Sequence, residues 1–166
     1  MALRDDLYRM AALGLVLLAV SCAAPPPPPP PTIVNVSLAT TATVNQTPDK
    51  KGAPIVLRLY QLSSPAGFNG AEFFQLFNKD QATLGTDLVK REDFELSPGQ
   101  TKSATLTPTD MVKAVGVFGA YRDFQHVTWR GVADIPAHLT TTLTITADSD
   151  GVTVKAETAP PPKPAK

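Results

Sequence analysis

The sequence predicts an all-β domain, built as a two-sheet β-sandwich of about eight strands with one short inserted helical segment. The main observation is that apolar residues recur with a period of two, which is typical of strands with one buried face. The second observation is that short, turn-rich connections separate most of these stretches. The chain of 166 residues is long enough for one domain with a substantial core.

The strand pattern recurs along most of the chain. It is clearest at 139–146, where Leu and Ile alternate with Thr. Turn residues at 97–99 (Ser-Pro-Gly) and at Asp150-Gly151 predict tight turns between strands, and Gly116 and Gly119 allow a bend or bulge. The predicted strands cover residues 34–38, 55–60, 88–96, 102–106, 112–122, 127–135, 139–146 and 152–154.

The stretch "FNGAEFFQLFN" at 68–78 departs from this pattern and predicts a short helix. We expect Asn69 to be its N-cap, with Glu72 three residues later as the capping-box partner. A second short turn at 80–84 is expected to end at Gly85. The helical spacing gives one apolar stripe, which consists of Phe73, Leu76 and Phe77. The stripe is predicted to pack on the sandwich; an aromatic ligand cage is the alternative.

Residues 1–21 have the features of a signal peptide. Arg4 and Arg9 precede an apolar run at 10–20, which is too short to span a bilayer core. Small residues then lead into Cys22, the only cysteine. This resembles the bacterial lipobox, in which the cysteine thiol receives a diacylglyceryl group. A lone cysteine cannot form an intramolecular disulfide, which favours this interpretation. A conventional secretory signal or a short anchor helix remains the alternative.

The residues after Cys22 predict a tether and a domain boundary. Residues 22–31 are expected to hold the lipid and a polyproline spacer, whose seven prolines would rise roughly 22 Å. Residues 32–158 are expected to form the sandwich, and 159–166 a disordered tail rich in Pro and Lys. Because Ala23 rather than Asp follows Cys22, the sequence resembles the outer-membrane sorting signal of Gram-negative lipoproteins.

Charge and motif content argue against two classes of function. Lys and Arg together number 15, as do Asp and Glu, and no long basic run is present, so nucleic acid is not an expected partner. His126 and His138 lack a second ligand at metal-binding spacing, and no nucleophile elbow or phosphate-binding loop occurs. We therefore predict that the protein is not an enzyme and has no metal or cofactor beyond the lipid on Cys22.

Several short motifs, in order, resemble the type VI secretion lipoprotein family known as TssJ, SciN or VasD. After the lipobox and the first strand come "PIVLRLYQLSS" at 54–64, "AEFFQLF" at 71–77, "LGTDLV" at 84–89 and "LSPGQ" at 96–100. The resemblance implies a transthyretin-like sandwich with an added helical element. It also implies a lipid anchor in the outer membrane, a periplasmic location, and binding to the periplasmic domain of TssM, with TssL in the wider complex.

In that family the loop between the first two strands makes much of the contact with TssM. The matching stretch here is 44–54, "VNQTPDKKGAP". The resemblance therefore marks seven residues as partner-binding: Asn45, Gln46, Thr47, Pro48, Asp49, Lys50 and Lys51. From the residues alone, a plain solvated hairpin loop is the favoured interpretation of this composition, and only the resemblance to the family favours partner binding.

Two other functions stay open at this point. One is an outer-membrane lipoprotein of another class, which would bind a small ligand or cell-wall component in a pocket near Tyr121, His126 and Trp129. The other is an envelope enzyme, which would need an acid and a base brought together from distant parts of the chain.

Overall fold

Two four-stranded β-sheets pack face to face in the computed structural model, which describes residues 28–161. The predicted all-β sandwich of eight strands is thereby confirmed. The predicted signal peptide at 1–21, Cys22 and the last five residues of the predicted tail lie outside the described residues. Among the described residues, no helix is both long and apolar enough to cross a bilayer.

The first sheet has the strand order β4-β1-β7-β8, and β1 pairs in parallel with β7. Its strands are β1 Ile33–Thr40, β4 Thr101–Leu106, β7 Thr140–Ala147 and β8 Val152–Thr158. The second sheet has the order β3-β2-β5-β6, with all neighbours antiparallel. Its strands are β2 Ile55–Leu62, β3 Leu88–Leu96, β5 Ala114–Gly119 and β6 Arg130–Asp134.

The main core lies between the sheets and consists of alternate residues of the central strands. The apolar residues that point inward from β1, β7, β2 and β5 are at most 2% exposed. Each fully buried aliphatic side chain contributes about 1.5–3 kcal/mol, so this layer is the largest stabilising element. Its members include Val34, Val36, Leu38, Leu57, Leu59, Val115, Val117, Leu143 and Ile145.

A helical layer covers the outer face of the second sheet. It contains α1 Ala66–Gly70, α2 Phe73–Leu84 and a 3-10 turn at Gly85–Asp87. A second apolar cluster forms between the helices and the sheet, and includes Tyr60, Leu62, Phe68, Phe73, Leu76 and Phe118. The central strands of the second sheet, β2 and β5, are therefore covered on both faces, and every residue of β5 is buried.

The start of the helical segment differs from the prediction. Asn69 is not an N-cap but lies inside α1, where its N–H donates to the Pro65 carbonyl at 2.9 Å. Ala71 is extended and separates the two helices, so Glu72 becomes the N-cap of α2. Its N–H donates to Gln75 Oε1 at 2.8 Å, as in a capping box. The predicted end at Gly85 is confirmed, with φ 52°.

Gly116 does not produce the bend or bulge that was expected of it. The pairing of β2 with β5 runs without a register shift from Leu57–Gly119 to Leu62–Ala114. A Cβ at position 116 would lie 3.1 Å from the Phe68 ring. The missing side chain thus leaves room for Phe68, which is fully buried against the strand.

Asp80 joins α2 to the second sheet through a buried carboxylate. Its Oδ2 accepts hydrogen bonds from Arg91 Nη1 at 2.8 Å and Tyr60 Oη at 3.1 Å, while Oδ1 accepts the Gln81 N–H at 2.8 Å. Burial opposes ionisation of Asp80, but these hydrogen bonds outweigh it and hold its pKa below the usual value. The carboxylate is therefore ionised at neutral pH.

Arg58 makes the second connection between sheet and helix. Its Nη1 donates to the carbonyls of Leu76 and Phe77, each at 3.0 Å, just before the kink of α2 at Lys79. The guanidinium lies against two neighbouring aromatic rings, 5.6 Å from the centre of Phe77 and 5.7 Å from that of Phe118. Arg58 therefore fixes the position of α2 on the sheet.

Strand directions divide the sandwich into two ends. The connections 41–54, 97–100, 120–129 and 148–151 lie at one end, which we call the loop pole. The start of β1 and the end of β8 lie at the other, the tether pole. There His138 Nδ1 lies 3.0 Å from the Pro30 carbonyl oxygen, and its N–H donates to Thr32 Oγ1 at 2.8 Å.

Replacing Asp80 by Asn is expected to destabilise the domain by about 3 kcal/mol, because it leaves Arg58 and Arg91 beside a neutral amide in a buried site. Urea unfolding measures the change. Asp93→Asn is the matched control: Asp93 contacts the same two arginines but is far more exposed, so it should cost less than about 1 kcal/mol. Equal losses would contradict this role of Asp80.

The stability of the domain should also fall in acid. Because the pKa of Asp80 is lowered on folding, its stabilising effect is complete above the unfolded value of about 3.9 and is lost as the pH falls through the folded value. Asp80→Asn should remove the contribution of Asp80 to this loss. Measuring the free energy of unfolding of both chains at a series of pH values, from neutral to below about 3.9, checks this.

Candidate functional site

The connections of the loop pole form one hydrogen-bonded cluster. The Thr41 N–H donates to the Ala147 carbonyl at 3.0 Å, which joins the β1–β2 loop to the end of β7. The Thr128 N–H donates to the Asp150 carbonyl at 2.9 Å, which joins the β5–β6 loop to the β7–β8 turn. Gly151 has φ 136°, and a Cβ there would overlap the Thr128 backbone, so the predicted Asp150-Gly151 turn requires glycine.

The β1–β2 loop is held in place by its own hydrogen bonds. The Ala53 N–H donates to the carbonyl of buried Val44 at 3.0 Å and closes the base of the loop. At the tip, the Thr47 N–H donates to the Lys51 carbonyl at 2.8 Å, and the Lys50 N–H to the Thr47 carbonyl at 2.9 Å. Binding through such a preformed loop costs less ordering entropy than binding through an open one.

Asn45 connects the β1–β2 loop to the β5–β6 loop. Its Nδ2 donates to the Pro54 carbonyl at 2.8 Å, and its Oδ1 accepts the Arg122 N–H at 2.9 Å. It is 6% exposed and has φ 48°, a conformation that Asn tolerates better than most residues. Both ends of its amide are thus engaged within the protein, and the structure gives Asn45 a positioning role.

The other six residues that the sequence marked as partner-binding fall into two groups. Gln46 and Thr47 are half-buried. Residues 48–51, which we call the loop tip, are exposed, and they are Pro48, Asp49, Lys50 and Lys51. Among the described residues, neither lysine of the tip forms an ion pair within the chain. The tip therefore presents two adjacent cations on a fixed backbone.

A cleft of about 280 Å³ lies beside the loop tip. It runs between residues 45–48 of the β1–β2 loop and the residues Tyr121, Asp123, Val127 and Ser149. Burial raises the pKa of the Tyr121 phenol, which stays neutral at physiological pH. The volume lies at the lower end of the usual range for small-molecule sites, about 300–1,000 Å³.

The residues considered for a small-ligand pocket do not share one cavity. Tyr121 packs in the main core, and His126 is exposed, with Nδ1 2.6 Å from Asp123 Oδ1. Trp129 packs against both apolar clusters, with its ring edge-on to Phe73, and does not line the cleft that Tyr121 lines. Within residues 28–161, no group of His, Cys, Asp and Glu side chains could hold a metal ion.

An exposed aromatic surface beside the loop pole was not predicted. Phe74 is 56% exposed and Phe77 is 41% exposed on the outer side of α2. Phe124 of the β5–β6 loop lies edge-on to Phe74 at 5.0 Å and stacks on Phe73 at 4.3 Å. We call Phe74, Phe77 and Phe124 the aromatic step. Successive residues of a helix point about 100° apart, so the pair at 73–74 could have indicated that one ring faces outward.

Comparisons with known proteins agree on one family. The family model described as Type VI secretion lipoprotein, with the names VasD, EvfM and TssJ, matches residues 32–150. The comparison with curated proteins gave no significant match.

Solved structures give the same result. The crystal structure of the lipoprotein TssJ1 of the type VI secretion system from Pseudomonas aeruginosa is 36% identical, with a TM-score of 0.75, over 79% of this chain and 100% of that chain. Serratia marcescens Lip, a membrane-bound component of that system, is 26% identical, with a TM-score of 0.70, over 75% and 96%. A chain in a structure of the TssM C-terminal domain from EAEC is 24% identical, with a TM-score of 0.63, over 74% and 99%, and supports the fold alone.

Replacing Asn45 by Ala should destabilise the domain by about 2 kcal/mol, because it leaves the Pro54 carbonyl and the Arg122 N–H without their partner and puts Ala at positive φ. Gln46→Ala, one residue along the same loop, is the control and should change stability by less than about 0.5 kcal/mol. Thermal unfolding measures both variants. If the two changes are equal, Asn45 does not hold the loops together.

Proposed function

Since the chain belongs to the type VI secretion lipoprotein family and has its role in the type VI secretion system, we propose that its loop tip binds the periplasmic domain of TssM. The observation that supports this most directly is the loop tip itself. It combines exposed cations with a backbone fixed by internal hydrogen bonds, at the end of the sandwich opposite the tether.

The chemistry of the loop tip favours an acidic or carbonyl-rich partner surface. Lys50 and Lys51 provide charge-assisted donors, and Pro48 restricts the backbone that carries them. Exposed charges of this kind accelerate association and select the partner more than they add affinity. Asn45 acts indirectly in this proposal, because it holds the tip against the β5–β6 loop.

The proposal includes a lipid anchor on Cys22 in the outer membrane. Several acyl chains on one terminus hold a protein at a membrane far longer than a single chain, since each buried methylene adds about 0.8 kcal/mol. The domain emerges from residues 28–31 at the tether pole, so the loop pole would point away from the membrane into the periplasm. TssL would then be a partner only through the wider complex.

We further propose that the protein works by binding alone, without catalysis or a cofactor. Its rigid loop cluster presents a surface, and its tether sets the reach of that surface from the membrane. The protein would thus connect the outer membrane to the part of the secretion system that spans the periplasm.

The double variant Lys50→Glu, Lys51→Glu should weaken binding to the periplasmic domain of TssM by roughly tenfold or more and leave the fold intact, because two attractive charges become repulsive. Calorimetric titration of the lipidated chain in detergent measures the affinity. The control is Lys113→Glu with Lys155→Glu, which makes the same charge change at exposed sites away from the loop pole. Unchanged affinity in the first variant would refute the assignment of the loop tip.

Membrane fractionation of the native chain, Cys22→Ser and Ala23→Asp tests the proposed lipid anchor on Cys22. The native chain should sediment with the outer membrane, and Cys22→Ser should be lost from it because no thiol can accept the lipid. Ala23→Asp should keep the lipid but move to the inner membrane, since it changes only the residue that resembles the sorting signal. A native protein with an unmodified Cys22 by mass spectrometry would contradict the proposal.

A further inference from the structure

The aromatic step is an unusual feature for a solvated helix face. Three large apolar side chains are exposed among the described residues: Phe74, Phe77 and, at the tether pole, Met111. Two of them lie together on α2 and expose between them about as much area as one whole phenylalanine side chain, roughly 200 Å². Clustered exposed aromatics are the usual mark of an interaction site, whereas single ones need no explanation.

The aromatic step is rigid. Phe73 anchors it from below, because its buried ring stacks on Phe77 at 5.8 Å and on Phe124 at 4.3 Å. The Arg58 guanidinium lies against the Phe77 ring from the sheet side. Rings that are already fixed lose little conformational entropy when a partner covers them, as is typical of interface anchors.

The aromatic step is also continuous with the loop cluster. Three consecutive residues of the β5–β6 loop link the two: the Arg122 N–H donates to Asn45, Asp123 lines the cleft beside the loop tip, and Phe124 packs on α2. A protein that contacts Lys50 and Lys51 and extends along this loop would therefore reach Phe74 without leaving the surface.

The exposed area of the aromatic step distinguishes between a second copy of this chain and a partner that also contacts the loop tip. A stable interface buries about 800 Å² on each partner, and two exposed rings supply only a fraction of that. The step is thus too small to hold a second copy of this chain by itself. Joined to the loop tip and the cleft, it provides the apolar part that the charged tip lacks.

We propose that the aromatic step is the apolar half of the partner-binding surface and receives apolar side chains of the same protein that binds the loop tip. This inference rests on the proposed function, and it adds that the helical layer takes part in binding. The loop tip then contributes charge and specificity, and the step contributes most of the buried apolar area.

Phe74→Ala tests this directly, because Phe74 is exposed and Ala favours the helix, so folding should be unaffected. Its affinity for the periplasmic domain of TssM should fall roughly tenfold in calorimetric titration of the lipidated chain. The loss should persist at high salt, whereas the loss in the Lys50, Lys51 variant should shrink there. Met111→Ala removes a comparable exposed side chain at the tether pole and should bind like the native chain.

The outcomes separate the two proposals. Native chain that fails to bind the domain of TssM overturns both. If the native chain and Phe74→Ala bind the domain of TssM equally well, this inference alone is overturned. It is also overturned if Met111→Ala loses as much affinity as Phe74→Ala. Cross-linking of the chain without TssM tests the alternative that a second copy of this chain binds the aromatic step. A dimer of the native chain that Phe74→Ala abolishes would show that it does, and would refute the inference.

Discussion

Burial of the two central strands of the second sheet on both faces is the constraint on which the rest of the structure depends. The strands β2 and β5 present apolar side chains to the main core on one side and Tyr60, Leu62 and Phe118 on the other. The outer side chains would be exposed to solvent without a covering layer, and the helical segment 63–87 packs over them. Asp80 and Arg58 are charged groups within this layer, where a charge without a partner is destabilising. Their hydrogen bonds to the sheet and to α2 fix the position of α2.

This arrangement also determines the surface beside the loops. Since Arg58 and the buried rings hold α2 in one position, its outer side must face solvent next to the β5–β6 loop. Asn45 likewise holds the β1–β2 loop in one position. Its side-chain amide bonds the carbonyl of Pro54 and the N–H of Arg122, which come from different parts of the chain. Regular secondary structure is sparse at the loop pole, and backbone hydrogen bonds between the loops, together with the side-chain bonds of Asn45, hold the loops in place.

Sequence reasoning predicted the two-sheet fold well, because a period of two and short turns are local properties. It placed all eight strands and the glycine that ends α2. It missed what depends on contacts across the chain. Asn69 lies inside a first helix that begins at Ala66 and ends before the extended Ala71, and Gly116 makes room for Phe68 instead of forming a bulge. The burial of Asn45, 77 residues from its partner Arg122, left no local pattern.

The position of β1 has a mechanical consequence. This strand continues from the tether at one end and into the β1–β2 loop at the other, and it is bonded to β4 on one side and to β7 on the other. If Cys22 carries the proposed anchor and the loop tip holds the proposed partner, tension between them would run along the length of this strand. The flanking bonds lie across that direction and would be loaded in shear together, rather than peeled one by one. A strand held in this way can transmit force through the domain without unravelling it.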